Sequence, residues 1–165
     1  MWNLAVLTVL ISLAGYYASA DKAGIEVQRQ ARADRQADEM ALYRDAVARY
    51  FAGHGGGPRS VNLATLRAGG VLQAWSPLAA AAATTIWANY RNAAGTIYIY
   101  AAQPPDTNIV ADIVRLSRNS VLAGVYRSGD SNLYSPIFGD TQIKLPTPAE
   151  LAIPDGSPVW IVLAQ

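Results

Sequence analysis

The sequence contains no cysteine. Disulfides, thiol nucleophiles and zinc sites built on thiolates are therefore excluded, while the compartment stays open. Histidine is nearly absent too. The single one, His54, stands in Gly53-His54-Gly55-Gly56-Gly57-Pro58 with no acidic neighbour at ligand spacing. A metal or general-base role needs partners, so His54 reads as an exposed loop residue. The same loop is no phosphate cradle, because no strand precedes it and Pro58-Arg59 stands where Lys-Ser or Lys-Thr would be required. Charge is sparse: 15% of residues are charged, the net charge is +1, and no Lys or Arg run is interleaved with aromatics. Nucleic acid is thereby removed from the expected partners.

Catalytic constellations are missing as well. A serine nucleophile would have only His54, Lys22 or Lys144 as base, and no segment has the form of a nucleophile elbow. Asp38 and Glu39 fall on the polar side of a helix, and Asp106, Asp112, Asp130, Asp140 and Asp155 fit caps and turns. The expectation is a non-enzymatic protein with no catalytic residue, no metal and no cofactor.

What the chain does have is a leading stretch, MWNLAVLTVLISLAGYYASA, without a charged side chain before Asp21. At roughly 1.5 Å per helical residue it is long enough to cross about 30 Å of hydrocarbon. Its apolar centre is Leu4, Val6, Leu7, Val9, Leu10, Ile11 and Leu13. Two readings compete. Ala18-Ser19-Ala20 has the small-x-small form of a signal-peptide cleavage site, but Met1-Trp2-Asn3 lacks the usual basic start. Trp2, Tyr16 and Tyr17 sit where interfacial aromatics would flank a spanning helix. We take residues 1–20 as a retained transmembrane anchor, with a cleaved signal peptide as the alternative. Lys22, Arg29, Arg32 and Arg35 would by themselves favour a cytoplasmic flank. The short amino-terminal segment with its cleavable-looking boundary favours export, so the carboxyl-terminal domain is expected on the periplasmic or extracytoplasmic side.

Residues 21–52 contain no proline and one glycine, Gly24, among good helix formers, and read as a helical stalk. Ala33, Ala37, Met40, Val47 and Phe51 recur at three- and four-residue steps, with Tyr43 and Tyr50 beside them and Arg44 interrupting the stripe. Residues 53–83 form a Gly/Pro/Ala-rich linker carrying a short helix capped by Ser60, ending near Arg67 before Gly69-Gly70. From residue 84 to 165 the chain reads as an α+β domain. Thr85 to Tyr90 and Thr96 to Tyr100 are β-branched and aromatic runs joined by Arg91-Asn92-Ala93-Ala94-Gly95, a hairpin. Ile97 and Ile99 share one face, Tyr98 and Tyr100 the other. A helix capped by Asp106 or Thr107 carries Ile109, Val110, Ile113, Val114 and Leu116. Strands follow at Val121 to Tyr126 and around Leu133, and the proline-bearing DTQIKLPTPAELAIP suits an edge or an ordered loop. The apolar run Val159 to Leu163 reads as a strand buried on both faces.

The predicted fold class is therefore α+β: a transmembrane helix and an amphipathic helix, then a small, mainly antiparallel sheet packed with helices. Nine tyrosines and four tryptophans are many for a small domain, and aromatics with a polar handle suit interfaces as well as cores. Met40, Val47, Phe51, Tyr98 and Tyr100 are the residues proposed to meet a partner, the competing account being that they fill the domain's own core.

Taken together, the anchor, the mixed helix, the glycine break, WANYRNAAGTIYIYA, a capped helix and a final SPVWIVLAQ resemble the PilM family of conjugative-plasmid and related type IVb thin-pilus systems. This is the small inner-membrane PilM and not the actin-like protein of the same name. The resemblance implies an inner-membrane component of the pilus basal body or pilin-transport apparatus, with its soluble part in the periplasm. Its partners would be the inner membrane, other pilus-assembly proteins and a second copy of the chain. The family offers no catalytic residues to carry over. Two alternatives stand beside it: a soluble periplasmic binding module released from a signal peptide, and a minor pilin-like subunit. A prepilin, however, needs a charged leader and a Glu at the fifth mature position, and neither is present.

Overall fold

A computed structural model describes residues 2–55, 59–147 and 150–163; over 2–23 it gives the backbone and, of the side chains, only that of Leu7. One long helix, α1 (Trp2–Gly53), precedes a short α2 (Leu63–Ala68) and a 3-10 turn at Pro77–Ala79. Then come β1 (Trp87–Arg91), β2 (Ile97–Ala101), α3 (Val110–Leu116), β3 (Ala123–Val125), β4 (Asn132–Ser135), β5 (Gly139–Lys144) and β6 (Pro158–Val162). The six strands make one sheet in the order β1-β2-β6-β3-β4-β5, with every pair antiparallel. The expected α+β class with a mainly antiparallel sheet is therefore met.

The sheet is sandwiched between two apolar layers because its central strands alternate two apolar sets. Ile97, Ile99 and Ala101 of β2 and Trp160 of β6 face α1, where they meet Ala37, Met40, Tyr43, Val47 and Phe51. The α1 stripe that the sequence marks is thus the helix's core face, starting at Ala33. Arg44, the interruption in that stripe, lays its guanidinium 4.0 Å from the Trp160 ring centre and pairs with Asp45, so its aliphatic stem covers apolar surface. Tyr98, Tyr100, Val159 and Ile161 face the other way. The proline-bearing stretch folds back over them with Leu145, Leu151 and Ile153, so it serves partly as strand β5 and partly as a lid over the tyrosine face. β6, buried in the centre of the sheet between β2 and β3, fits the uninterrupted apolar run that marks it in the sequence.

Several local expectations shift. The cap of α2 is Asn62 and not Ser60: the Asn62 Oδ1 accepts from the Thr65 amide at 2.8 Å and from its hydroxyl at 2.9 Å. Neither Asp106 nor Thr107 caps α3; Asn108 Oδ1 takes the Val110 amide at 3.1 Å, while Thr107 reaches across to Gln36 Oε1. The alanine-rich segment after Pro77 is no helix beyond one turn. Arg67 holds it by donating to the carbonyls of Leu78, Ala81 and Ala83. Both sheet edges are blunted. On β1, Asn89 donates to the Val61 carbonyl at 2.6 Å and accepts its amide at 3.0 Å, so a side chain replaces the missing neighbouring peptide. On β5, a register shift with Gln142 at φ 58° turns the amides of Gln142 and Ile143 to the side chains of Asp140 and Thr141.

Candidate functional site

His54 and Lys144 do not converge. His54 ends α1, stacked on Tyr50 at 4.1 Å with its Nδ1 2.8 Å from the Tyr50 carbonyl, and its own carbonyl accepts from Arg59 and Arg91. It is exposed, as the sequence led us to expect. Arg91 lies on β1, and Lys144 lies on β5 at the opposite edge of the sheet. Five inter-strand steps of roughly 4.8 Å put about 24 Å between those edges. Among the described residues, no group of three or more His, Asp or Glu is placed to hold a metal ion.

The polar groups that are brought together tie elements to one another. On α1, the Tyr43 hydroxyl accepts from Asn89 at 2.6 Å in the buried layer under β1, and burial pushes it up to about 12. Glu39, one turn earlier, accepts from the Trp87 indole at 3.1 Å and the Thr85 hydroxyl at 3.4 Å. Burial raises its carboxyl above the ordinary value, against the lowering effect of those two bonds. At the α1–α3 contact, Arg115 bridges Asp34 at 2.9 Å and the buried Asp112 at 3.1 Å, and Gln30 reaches both carboxylates. Every one of these groups is used to dock a helix. Glu39 also lines a depression of about 360 Å³ beside Thr84 and Thr85, where its carboxylate is engaged by the Trp87 indole and the Thr85 hydroxyl.

The five residues proposed to meet a partner are interior ones. Met40 and Val47 are fully buried, and Phe51, Tyr98 and Tyr100 are no more than 8% exposed. The correction has a physical reason: the two faces of the sheet each need an apolar cover, and these side chains supply it. The membrane-anchor residues Leu4, Val6, Val9, Leu10, Ile11 and Leu13 lie outside the described side chains, while Leu7 is described and exposed. Among the described residues, no helix is long and apolar enough to cross a membrane.

The surface offers contact area elsewhere. Trp75 is 72% exposed in the linker before the 3-10 turn, and Ile137 and Phe138 are each 54% exposed at the tip of the β4–β5 hairpin. Below that hairpin an open depression of about 630 Å³ is lined by Tyr134, Arg127, Pro104, Pro136 and Asp155. The Arg127 guanidinium lies over the Tyr134 ring at 3.3 Å from its centre. The fully exposed Asp155 is held below the ordinary carboxylate value by hydrogen bonds from Ser128. Neither the exposed tryptophan nor the hairpin tip is legible in the sequence, since a single apolar residue in a loop carries no periodicity.

The model of the PilM family matches residues 9–161, which is nearly the whole chain. The chain belongs to the PilM family. The family match runs from Val9 in α1 through to Ile161 in β6 and so takes in both apolar layers of the sheet. No curated protein matches the chain. Among solved structures, one of a protein described as PilM from Escherichia coli B7A is 20% identical, covers 82% of this chain and 94% of its own, and gives a TM-score of 0.47.

Proposed function

We propose that this chain is a non-enzymatic component of type IV thin-pilus biogenesis, held in the inner membrane by residues 1–20, with its α+β domain in the periplasm acting through protein contacts. Membership of the PilM family over residues 9–161 is the observation that carries the pilus role. The anchor rests on the absence of charge before Asp21 and on α1 running unbroken from Trp2 into the domain. The contact mechanism rests on what the polar groups do. They clamp helices to the sheet, while Trp75 and the Ile137-Phe138 tip stay uncovered.

The test is a deletion strain complemented with the full chain, scored for pili by electron microscopy, together with extraction of the protein from washed membranes. The expected result is loss of pili, restoration by the full chain, and release by detergent only. Unchanged piliation in the deletion strain overturns the role, and release by salt or carbonate overturns the anchor. An amino terminus at Asp21 in the mature protein assigns the leading stretch to a cleaved signal peptide instead.

A further inference from the structure

Two adjoining depressions, of about 530 and 270 Å³, run along the solvent side of α1 where it meets the end of β6, and they share Ala48, Val162 and Leu163. Among the described residues their charge is one-sided: Arg44, Arg49, Arg91 and Arg118 line them, with Asp45 as the one acid. Leu163 is 56% exposed and Leu116 39%, so apolar side chains stay uncovered between the guanidinium groups. Arg44 is held over Trp160 and by Asp45, which fixes a floor. Arg49 is exposed and, among the described residues, uses only its Nε, on the Asp45 carbonyl. Arg118 is exposed at a left-handed position (φ 57°) just past α3, with no side-chain hydrogen bond among the described residues.

We infer that this groove seats an acidic amphipathic helix of a partner protein, its apolar stripe on Leu116 and Leu163 and its carboxylates on Arg49 and Arg118. The inference rests on the assembly reading for the partner's context but not for the groove itself. Two adjoining depressions with uncovered leucines, flanked by exposed guanidinium groups, match a helix with one apolar and one acidic face. Three other occupants fit less well. A free phosphate would leave the exposed leucines unused. The lipid of the anchoring membrane is remote, because Arg44 stands 24 residues beyond Ala20 (44 minus 20), about 36 Å along a helix. A second copy that offered the exposed stretch of its own α1 at residues 24–32 would bring Arg29 and Arg32 against Glu26, a basic helix on a basic groove.

The experiment uses the full chain in nanodiscs of neutral lipid and a labelled eighteen-residue synthetic helix of Leu, Ala and Glu with one leucine stripe, alongside its counterpart with Lys for Glu. Fluorescence anisotropy is expected to show binding of the Glu peptide that weakens as salt is raised, and none of the Lys peptide. In the double variant R49E/R118E, affinity for the Glu peptide is expected to fall at least tenfold and the Lys peptide to bind, a gain that a misfolded protein would not give. Equal binding of both peptides, no binding, or no change in the double variant overturns the proposal. So does attachment of anionic vesicles that needs Arg49 and Arg118 while the Glu peptide is ignored, or self-association lost on Leu163→Ser. The double variant is then placed in the complemented strain. Normal pili there, with peptide binding lost in vitro, would leave the groove standing and detach it from assembly.

Discussion

Asn89 on β1 donates to the hydroxyl of Tyr43 on α1 at 2.6 Å, a buried bond between residues 46 positions apart, while the same amide serves the Val61 backbone in both directions. One side chain thus joins helix, edge strand and linker. Asn89→Ala strands the Val61 amide and carbonyl and the Tyr43 hydroxyl, and is expected to cost about 2–3 kcal/mol in urea unfolding of the full chain in detergent. Tyr43→Phe removes one partner only and should cost about 1 kcal/mol. The folded Tyr43 ionises near 12 against an ordinary 10, so its contribution is intact below 10 and drains away as pH climbs through 12. Tyr43→Phe should remove that alkaline decline, which a melting series from pH 9 to 12 would reveal.

Glu39 supplies a pH dependence on the acid side. Its folded carboxyl titrates above the ordinary 4.5, so the folded state binds the proton more readily than the unfolded one. Its contribution is complete below 4.5 and declines as pH rises through the raised value. Glu39→Gln keeps an oxygen for the Trp87 indole and the Thr85 hydroxyl without the buried charge. Melting temperatures of the two proteins should coincide near pH 4 and separate towards pH 7, with the variant higher. A variant that melts lower at pH 7 would refute the assignment.

Gly124 sits where β3 passes the backbone of β4. A Cβ there would overlap the carbonyl group of Tyr134, which is backbone and cannot swing away. Gly124→Ala is expected to destabilise by about 3 kcal/mol or more, because the two strands must part. Thermal unfolding checks the magnitude. Loss of the exchange protection of Val125, with that of β1 and β2 retained, checks the place.

Along α1 the first buried side chain among the described residues is Ala33, and those from Gly24 to Arg32 are exposed. Amides from Ala37 to Phe51 should therefore exchange only on global opening, and those from Gly24 to Arg32 by local fraying that is orders of magnitude faster. Arg115→Ala, which removes the bridge to Asp34, should move that boundary towards Ala37 at a cost of about 1 kcal/mol. Hydrogen exchange read by mass spectrometry resolves both.

The parts of the fold that were legible are those where one residue type repeats under a physical period. Ile97, Tyr98, Ile99 and Tyr100 alternate because the sheet has two covered faces, and Val159 to Val162 do not alternate much because their strand is central. Caps were harder. Ser60 and Asn62, or Asp106, Thr107 and Asn108, are neighbours of equal chemical ability, and the choice falls to where the chain enters the helix. β5 hid behind the proline that closely follows it, Pro146, and its bulge at Gln142. The α1 stripe was plain as a stripe, but whether Met40 and Phe51 meet this chain or another is a matter of what folds against them, which periodicity does not encode. The arginine groove was out of reach for a further reason. Arg49, Arg91, Arg118 and Leu163 come from four separate segments, and only the sheet and α3 make them neighbours.

The continuity of α1 from Trp2 to Gly53 also makes it a drive shaft. Each residue added or removed between Ala20 and Ala33 turns everything beyond it by about 100° and shifts it by about 1.5 Å. Removing seven residues would draw the domain in by about 10 Å with its bearing almost kept, whereas removing two would swing it to face nearly the opposite way.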